Sequence, residues 1–168
     1  MTAADVERAW ATLDTVLDPE VPALSVRELG IVRDVRVTDD GLEVVLTPTY
    51  SGCPATEVIE RSVLEALDAA GLGPAQVRLQ RAPAWTTDWI SAEGRRKLHD
   101  YGIAPPGPAL SWAAGAQPMR FMRRPERVAC PRCASADTEQ LSAFGATACK
   151  SLYRCRACRE PFEYFKPI

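Results

Sequence analysis

Six cysteines carry the most reactive chemistry in this 168-residue chain, and four of them form two Cys-x-x-Cys pairs, Cys130/Cys133 and Cys155/Cys158. Two such pairs, separated by a short β-rich stretch, supply four thiolates for a closed tetrahedral metal site. The segment is too short to bury a core by itself, so bound metal supplies much of its folding free energy. The spacing therefore predicts structural zinc, with rubredoxin-like iron in the same thiolates as the alternative.

A fifth cysteine, Cys53, lies between a β-like apolar run and an amphipathic helical pattern, directly before Pro54. Proline is favoured at the first position of a helix, so we expect Cys53 to be the N-cap residue, with the positive end of the helix dipole at its sulfur. A thiol in that position tends to have a lowered pKa and to be a good nucleophile or metal ligand. The alternative is a small, buried and inert cysteine at a strand–helix corner.

Three further side chains are weaker candidates. Cys149 precedes Lys150, whose charge would favour the thiolate of an exposed cysteine. The alternative is that Cys149 is a small strand residue that packs on the Cys-x-x-Cys pairs. Asp18 and Glu20 flank Pro19 at the end of a predicted helix. From the residues alone, solvated loop acids are the simpler interpretation of these two carboxylates.

Several function classes lack support in the sequence. His99 is the only histidine, which excludes the paired Glu-x-x-His motifs of a di-iron bundle. No phosphate-binding glycine loop is present. A net charge of −2 argues against nucleic-acid binding, despite an arginine cluster after Pro118. No apolar run is long enough to span a membrane and no secretory signal is recognisable, so we expect a cytoplasmic protein with reduced cysteines.

The hydrophobic periodicity predicts the elements that position these residues. The predicted helices are 4–17, a helix from Cys53 to Gly71, and 91–101, with Ser91 as N-cap. The predicted strands are 31–37, 42–46 and 76–80, the first two joined at Asp39-Asp40-Gly41. This α-β-β-α-β-α order predicts an α+β fold, with a small three-stranded sheet, helices on one face and Val77 and Leu79 pointing inward, followed by a C-terminal β ribbon.

Composition divides the chain into a first domain at 1–103, a linker at 104–127 that contains Pro, Gly and Arg, and a four-cysteine ribbon at 128–168. Within the first domain, the aromatic stretch Trp85-Thr86-Thr87-Asp88-Trp89 is more typical of a core segment and helix cap than of a ligand site.

Several motifs together resemble known families. Asp18-Pro19-Glu20, Leu29-Gly30-Ile31-Val32 and Thr47-x-x-x-x-Gly52-Cys53-Pro54 resemble the MIP18-like (DUF59) family of iron–sulfur assembly factors over about the first hundred residues. Nearly the whole chain resembles the family of D subunits of bacterial phenylacetyl-CoA ring epoxidases. The motifs that carry this second resemblance are Trp85 to Ile90, Tyr101 to Pro106, Phe144 to Lys150 and Glu160 to Lys166.

The resemblance implies a non-catalytic role in aerobic phenylacetate catabolism, in which the protein assembles iron or iron–sulfur centres of a multicomponent oxygenase. The implied partners are the oxygenase and reductase subunits, with no nucleic acid and no membrane. The family's cysteine corresponds to Cys53 and its acidic loop to Asp18 and Glu20. One thiolate cannot close a cluster site, so we predict a homodimer, or a ligand from Cys149 or a partner. The alternative function is a structural scaffold that handles no metal beyond zinc.

Overall fold

The computed structural model describes residues 2–50, 52–107 and 128–168. They form two compact units that divide between Lys97 and Leu98. This division lies N-terminal to the domain boundary predicted at residue 103. Most of the predicted linker falls outside the described residues, including its four arginines, Arg120, Arg123, Arg124 and Arg127.

The first unit has the predicted α-β-β-α-β-α order. Its elements are α1 (Ala3–Leu13), β1 (Val32–Thr38), β2 (Gly41–Leu46), α2 (Thr56–Ala69), β3 (Ala75–Leu79) and α3 (Ala92–Tyr101), which continues into the second unit. The strands lie in the order β1-β2-β3, with β1 antiparallel and β3 parallel to β2. None of the described helices is long and apolar enough to cross a membrane.

Strand β2 is buried along its whole length because it lies between the other two strands. The predicted hairpin is confirmed, and Gly41 is required at its end. This residue has a φ of +126°, and a Cβ there would lie 2.1 Å from the Pro74 backbone oxygen. Leu79 was predicted to point inward. It is instead 39% exposed, because β3 is an edge strand.

Helix α1 ends at Leu13, four residues before its predicted end. The chain leaves the helix because Leu17 forms an isolated β-bridge with Ser25, and the Asp18 N–H donates to the Leu24 carbonyl at 2.9 Å. The Val26 N–H likewise donates to the Val16 carbonyl at 2.8 Å. This pairing makes residues 14–31 a compact loop with a defined shape, which we call the acidic loop because it carries two of the candidate acids.

The aromatic stretch Trp85 to Trp89 holds this acidic loop in place. This agrees with its interpretation as a core segment and helix cap. Trp85 is buried, and its indole N–H donates to the Leu29 carbonyl at 3.1 Å. Gly30 has a φ of +75°, and a Cβ there would lie 2.5 Å from the Trp89 backbone oxygen. The side-chain oxygen of Ser91 accepts from the Gly94 N–H at 2.9 Å, which confirms the predicted cap of α3.

The second unit is a four-stranded ribbon in the order β4-β7-β6-β5. Its strands are β4 (Ile103–Ala104), β5 (Thr138–Ser142), β6 (Lys150–Cys155) and β7 (Pro161–Phe165). All pairs are antiparallel except β4–β7. One small cluster of buried residues consists of Ala104, Val128, Cys130, Tyr153, Cys155, Phe162 and Tyr164. Two of these seven residues are candidate metal ligands, so the core and the metal site are built together.

Candidate metal centre and thiol site

The two Cys-x-x-Cys pairs adopt the same backbone turn. In the first, the Ala134 N–H donates to the Cys130 carbonyl at 2.8 Å, and in the second the Arg159 N–H donates to the Cys155 carbonyl at 3.0 Å. Ala134 and Arg159 have φ angles of 59° and 70°, in the left-handed region that side chains disfavour. The chain accepts this conformation twice because each turn directs its two thiols toward one point.

The four sulfurs fit a tetrahedral metal ion. All four lie within 4.8 Å of one another, with Cys130 to Cys158 at 3.7 Å and Cys133 to Cys155 at 3.5 Å. Metal–sulfur bonds of about 2.3 Å in a tetrahedron place the sulfurs roughly 3.8 Å apart. No second group of three or more such donors with this spacing occurs in the described part of the chain. The four cysteines therefore form a metal-binding site.

The backbone also prepares these sulfurs for a cation. The Cys158 N–H donates to the Cys155 sulfur at 3.5 Å, and this bond lowers the pKa of the Cys155 thiol to about 7. The Glu160 N–H lowers the pKa of Cys158, but burial and the neighbouring thiols raise it to about 12. The thiols thus differ in how tightly they hold their protons, and a divalent cation would displace those protons on binding.

Cys149 is not the exposed thiol that its position before Lys150 allowed. Its side chain is buried in the ribbon, and its sulfur lies 3.0 Å from the Thr147 hydroxyl oxygen. The Lys150 ammonium forms an ion pair with the Glu163 carboxylate at 2.7 Å, which compensates the lysine charge. Cys149 is therefore a buried residue of the turn that precedes β6.

The turn that contains Cys53 differs from the predicted helix cap. The Cys53 N–H donates to the Tyr50 carbonyl at 3.3 Å, and the Thr56 N–H donates to the Cys53 carbonyl at 3.2 Å. The N-cap residue of α2 is Ala55, without a side-chain capping bond. The prediction that Cys53 caps this helix is therefore wrong, because a separate turn occupies the residues between strand and helix.

The structure brings the two predicted acids to this cysteine. Burial raises the pKa of the Cys53 thiol, and the Glu20 and Asp18 carboxylates raise it further. The Ala55 N–H and the Tyr50 hydroxyl act in the opposite direction but do not reverse the shift. The expected lowering of the pKa is thus also wrong: Cys53 carries its proton at neutral pH.

Asp18 is held rigidly beside this thiol. One carboxylate oxygen accepts from the Glu20 N–H at 2.8 Å and from the Val21 N–H at 2.7 Å. Asp18 is only 4% exposed, so the interpretation as a solvated loop acid is wrong for this residue. The Cys53 thiol thus experiences two carboxylates from the acidic loop, and burial and two backbone hydrogen bonds fix the position of one of them, Asp18.

Tyr50 belongs to this site although no role was predicted for it, and Thr47 is a buried polar residue six positions before Cys53. Tyr50 hydrogen-bonds the Cys53 thiol, and its position three residues before the cysteine, the span of a β-turn, is the signal that could have identified it. Thr47 is 1% exposed, and its hydroxyl has no hydrogen-bond partner among the described residues. The motif that carries the MIP18-like resemblance begins at Thr47, but nothing in the sequence indicates that its hydroxyl is buried.

The raised pKa has a measurable consequence. With the ribbon metal-loaded, we expect iodoacetamide to alkylate Cys53 slowly at pH 7. The alkylation rate should keep rising with pH beyond about 8.5, the ordinary pKa of a cysteine thiol. Asp18→Asn removes a negative charge near the sulfur, so its rate profile should shift to lower pH. Peptide mass spectrometry measures the rate at each pH. An unshifted profile in the Asn variant would contradict the electrostatic coupling.

Two family models match the chain. One described as an iron–sulfur cluster assembly protein matches residues 6–78, and one described as a PaaD zinc beta ribbon domain matches residues 115–166. They cover the first unit's Cys53 site and the four-cysteine site, respectively.

The chain is also similar to individual proteins. It is 48% identical over 163 residues to an Escherichia coli (strain K12) protein described as a candidate D subunit of 1,2-phenylacetyl-CoA epoxidase, covering 97% of this chain and 93% of that protein. It is 34% identical over 88 residues to an Fe-S protein maturation auxiliary factor of Porphyromonas gingivalis, covering 51% and 83%. A crystal structure of a DUF59 domain of unknown function from Bacillus anthracis matches 56% of this chain and 92% of its own, with a TM-score of 0.52 and 26% identity.

Proposed function

Because this chain belongs to the family of 1,2-phenylacetyl-CoA epoxidase D subunits, we propose that it is a non-catalytic accessory subunit that matures an iron centre of the epoxidase. The client is the oxygenase or the reductase subunit, and the cargo is iron or an iron–sulfur cluster. The observation that carries this proposal is that the Asp18 and Glu20 carboxylates, which lie in a separate loop, act electrostatically on the Cys53 thiol and raise its pKa. Thiolate and carboxylate are both ligands that iron accepts.

The incompleteness of this donor set supports transfer rather than storage. The ribbon offers four donors within 4.8 Å of one another, whereas Cys53 and the two acids do not form such a group. A closed four-ligand site retains its metal, but an open one needs further ligands from another molecule. The Cys53 site would therefore hold iron only while a client or a second copy completes it.

The thiol proton fits the same role. Cys53 is protonated at neutral pH, so it has low affinity for a metal ion until that proton leaves. An approaching iron cation stabilises the thiolate and compensates the two carboxylates at the same time. Loading and release of the cargo are thus coupled to one proton and to the charge beside the sulfur.

In the ribbon, we propose structural zinc, held by Cys130, Cys133, Cys155 and Cys158. The absorption spectrum distinguishes the two metals that a four-sulfur site accepts, because zinc thiolate is colourless and ferric tetrathiolate is red.

A homodimer would supply the missing ligands at Cys53 by symmetry, and sedimentation equilibrium measures whether the chain is a dimer.

The deciding experiment produces the oxygenase and reductase subunits with and without this chain. Iron content of each purified subunit and epoxidase activity are then measured. We expect the client to lack iron and activity when this chain is absent, and the subunit whose iron falls is the client. Full iron loading and activity in both subunits without this chain would refute the maturation role.

A structural scaffold is the second candidate, favoured by the exposed apolar side chains of the ribbon. Phe144 is 64% exposed and Leu141 is 49% exposed. Large exposed apolar groups of this kind are typical of interaction surfaces. If the protein is a scaffold, Phe144→Ala should weaken complex formation and Cys53→Ser should have no effect. If it is a maturation factor, Cys53→Ser should have the larger effect.

A further inference from the structure

Arg33 occupies an unusual position in the first unit. The pairing of β1 with β2 shifts between Val32 and Asp34, so Arg33 is the extra residue of a β-bulge. A bulge redirects the side chain of the residue it inserts. The Arg33 guanidinium lies over the Trp89 ring, 3.5 Å from its centroid, and donates to the Gly30 carbonyl at 3.3 Å.

This guanidinium has no carboxylate partner among the described residues. Residues 1–97 contain sixteen Asp and Glu against ten Lys and Arg, so acids are plentiful. At least seven of those ten cations have a carboxylate within 4.0 Å: Arg8, Arg27, Arg36, Arg61, Arg78, Arg96 and Lys97. For Arg33, none of the described acids lies that close. Burial lowers the pKa of Arg33, with no contribution from a charged neighbour.

The chemistry of this position favours an incoming carboxylate. A guanidinium has five N–H donors, and the protein uses one of them on the Gly30 carbonyl. Partial removal from water without a counter-ion is unfavourable, and a carboxylate relieves that cost with two parallel hydrogen bonds. Among the described residues no second cation affects Arg33, so this single guanidinium matches the charge of one carboxylate better than that of a phosphate dianion. Trp89 holds the guanidinium plane in advance, which reduces the entropy lost on binding.

We propose that Arg33, held by Trp89, is a docking anchor for a carboxylate side chain of the epoxidase subunit that this chain serves. The inference rests on the proposed function and identifies the chemistry of the partner surface. The net charge of −6 over residues 1–97 repels acidic segments elsewhere on this unit. A partner carboxylate is therefore favoured at Arg33, where it would set the register of the complex.

The test measures binding of the purified oxygenase and reductase subunits to the full-length chain by isothermal titration calorimetry. We expect Arg33→Gln to weaken the binding of the client by roughly tenfold or more, as for other arginine anchors that become buried in an interface. Arg33→Lys keeps the charge and the stem over Trp89 but loses the planar fork, so it should bind almost as weakly. It also serves as the variant that retains packing if the glutamine variant is unstable.

Arg36→Gln is the matched control. It removes the same charge from the same strand, but Arg36 is half-exposed and already paired with Glu43. Its binding should stay within about twofold of the wild type, as for a screened surface ion pair. Equal weakening in the Arg33 and Arg36 variants, or wild-type binding by Arg33→Lys, would overturn the anchor. If the wild type binds neither subunit, the proposed function itself fails. If the wild type binds a subunit and Arg33→Gln binds it equally well, only the anchor proposal fails.

Discussion

Chelation of the ribbon metal is expected to unfold the C-terminal unit while the first unit stays folded. The hydrophobic cluster that contains the metal site has only seven buried residues, and two of them, Cys130 and Cys155, are ligands of the proposed metal. A core of that size cannot offset the conformational entropy of about 40 ordered residues. Structural zinc supplies on the order of 10 kcal/mol in comparable small domains, which makes metal binding and folding of this unit one event.

Cys155→Ser should reproduce the effect of chelation. Its sulfur is fully buried and accepts a backbone hydrogen bond, so a serine oxygen weakens both the metal site and the core. Nuclear magnetic resonance measures the result, as a loss of dispersed amide signals confined to residues 98–107 and 128–168. Cys149→Ser is the control, because Cys149 is also buried in the ribbon but lies outside the four-sulfur group. It should retain one metal per chain. A folded, metal-free ribbon would contradict the prediction.

Cys53→Ser is expected to abolish maturation of the client and leave the fold intact. The substitution replaces one sulfur by oxygen at a half-buried turn position, so its cost in unfolding free energy should stay at about 1 kcal/mol or less. The ribbon metal lies in the other unit and should remain at one per chain. Client iron content should nevertheless fall to the value measured without this chain, because serine does not replace a thiolate as an iron ligand.

Asp18→Asn makes this prediction specific to the site. The amide oxygen still accepts the Glu20 and Val21 N–H groups, so the acidic loop should keep its shape. The negative charge beside the thiol is lost, and iron loading should drop partially. Client iron content is measured for both variants in the same co-production assay. Normal loading with Cys53→Ser would exclude the thiol as an iron carrier and favour the scaffold.

Much of the architecture follows from local sequence signals. The Asp39-Asp40-Gly41 turn, the serine cap at Ser91 and the apolar stripe of α2 act over a few residues, so the sequence predicts the ends of their elements to within three positions. The end of α1 was missed because the bridge between Leu17 and Ser25 is a tertiary contact that outweighs helical periodicity.

The four-cysteine site was predictable for a similar reason. The two residues between the cysteines of each pair define a tight turn, and metal geometry supplies the remaining constraint. The spacing therefore predicts all four thiols that the structure places within 4.8 Å of one another. For Cys53 and Cys149 the sequence left the environment open: the expected N-cap position of Cys53 was wrong, and Cys149 is buried rather than exposed, the second of the two alternatives that its sequence context allowed.

The sequence by itself thus determined the order of elements, the ribbon and the identity of the candidate thiols. Only the tertiary structure decided that Asp18 and Glu20 meet Cys53, that their charges and burial raise its pKa, and that a bulge places Arg33 on Trp89 with no counter-ion among the described residues. The physical reason is that helix, turn and ligand-pair propensities act between near neighbours. Burial and electrostatic fields, by contrast, are summed over groups that the fold brings together from more than thirty positions apart.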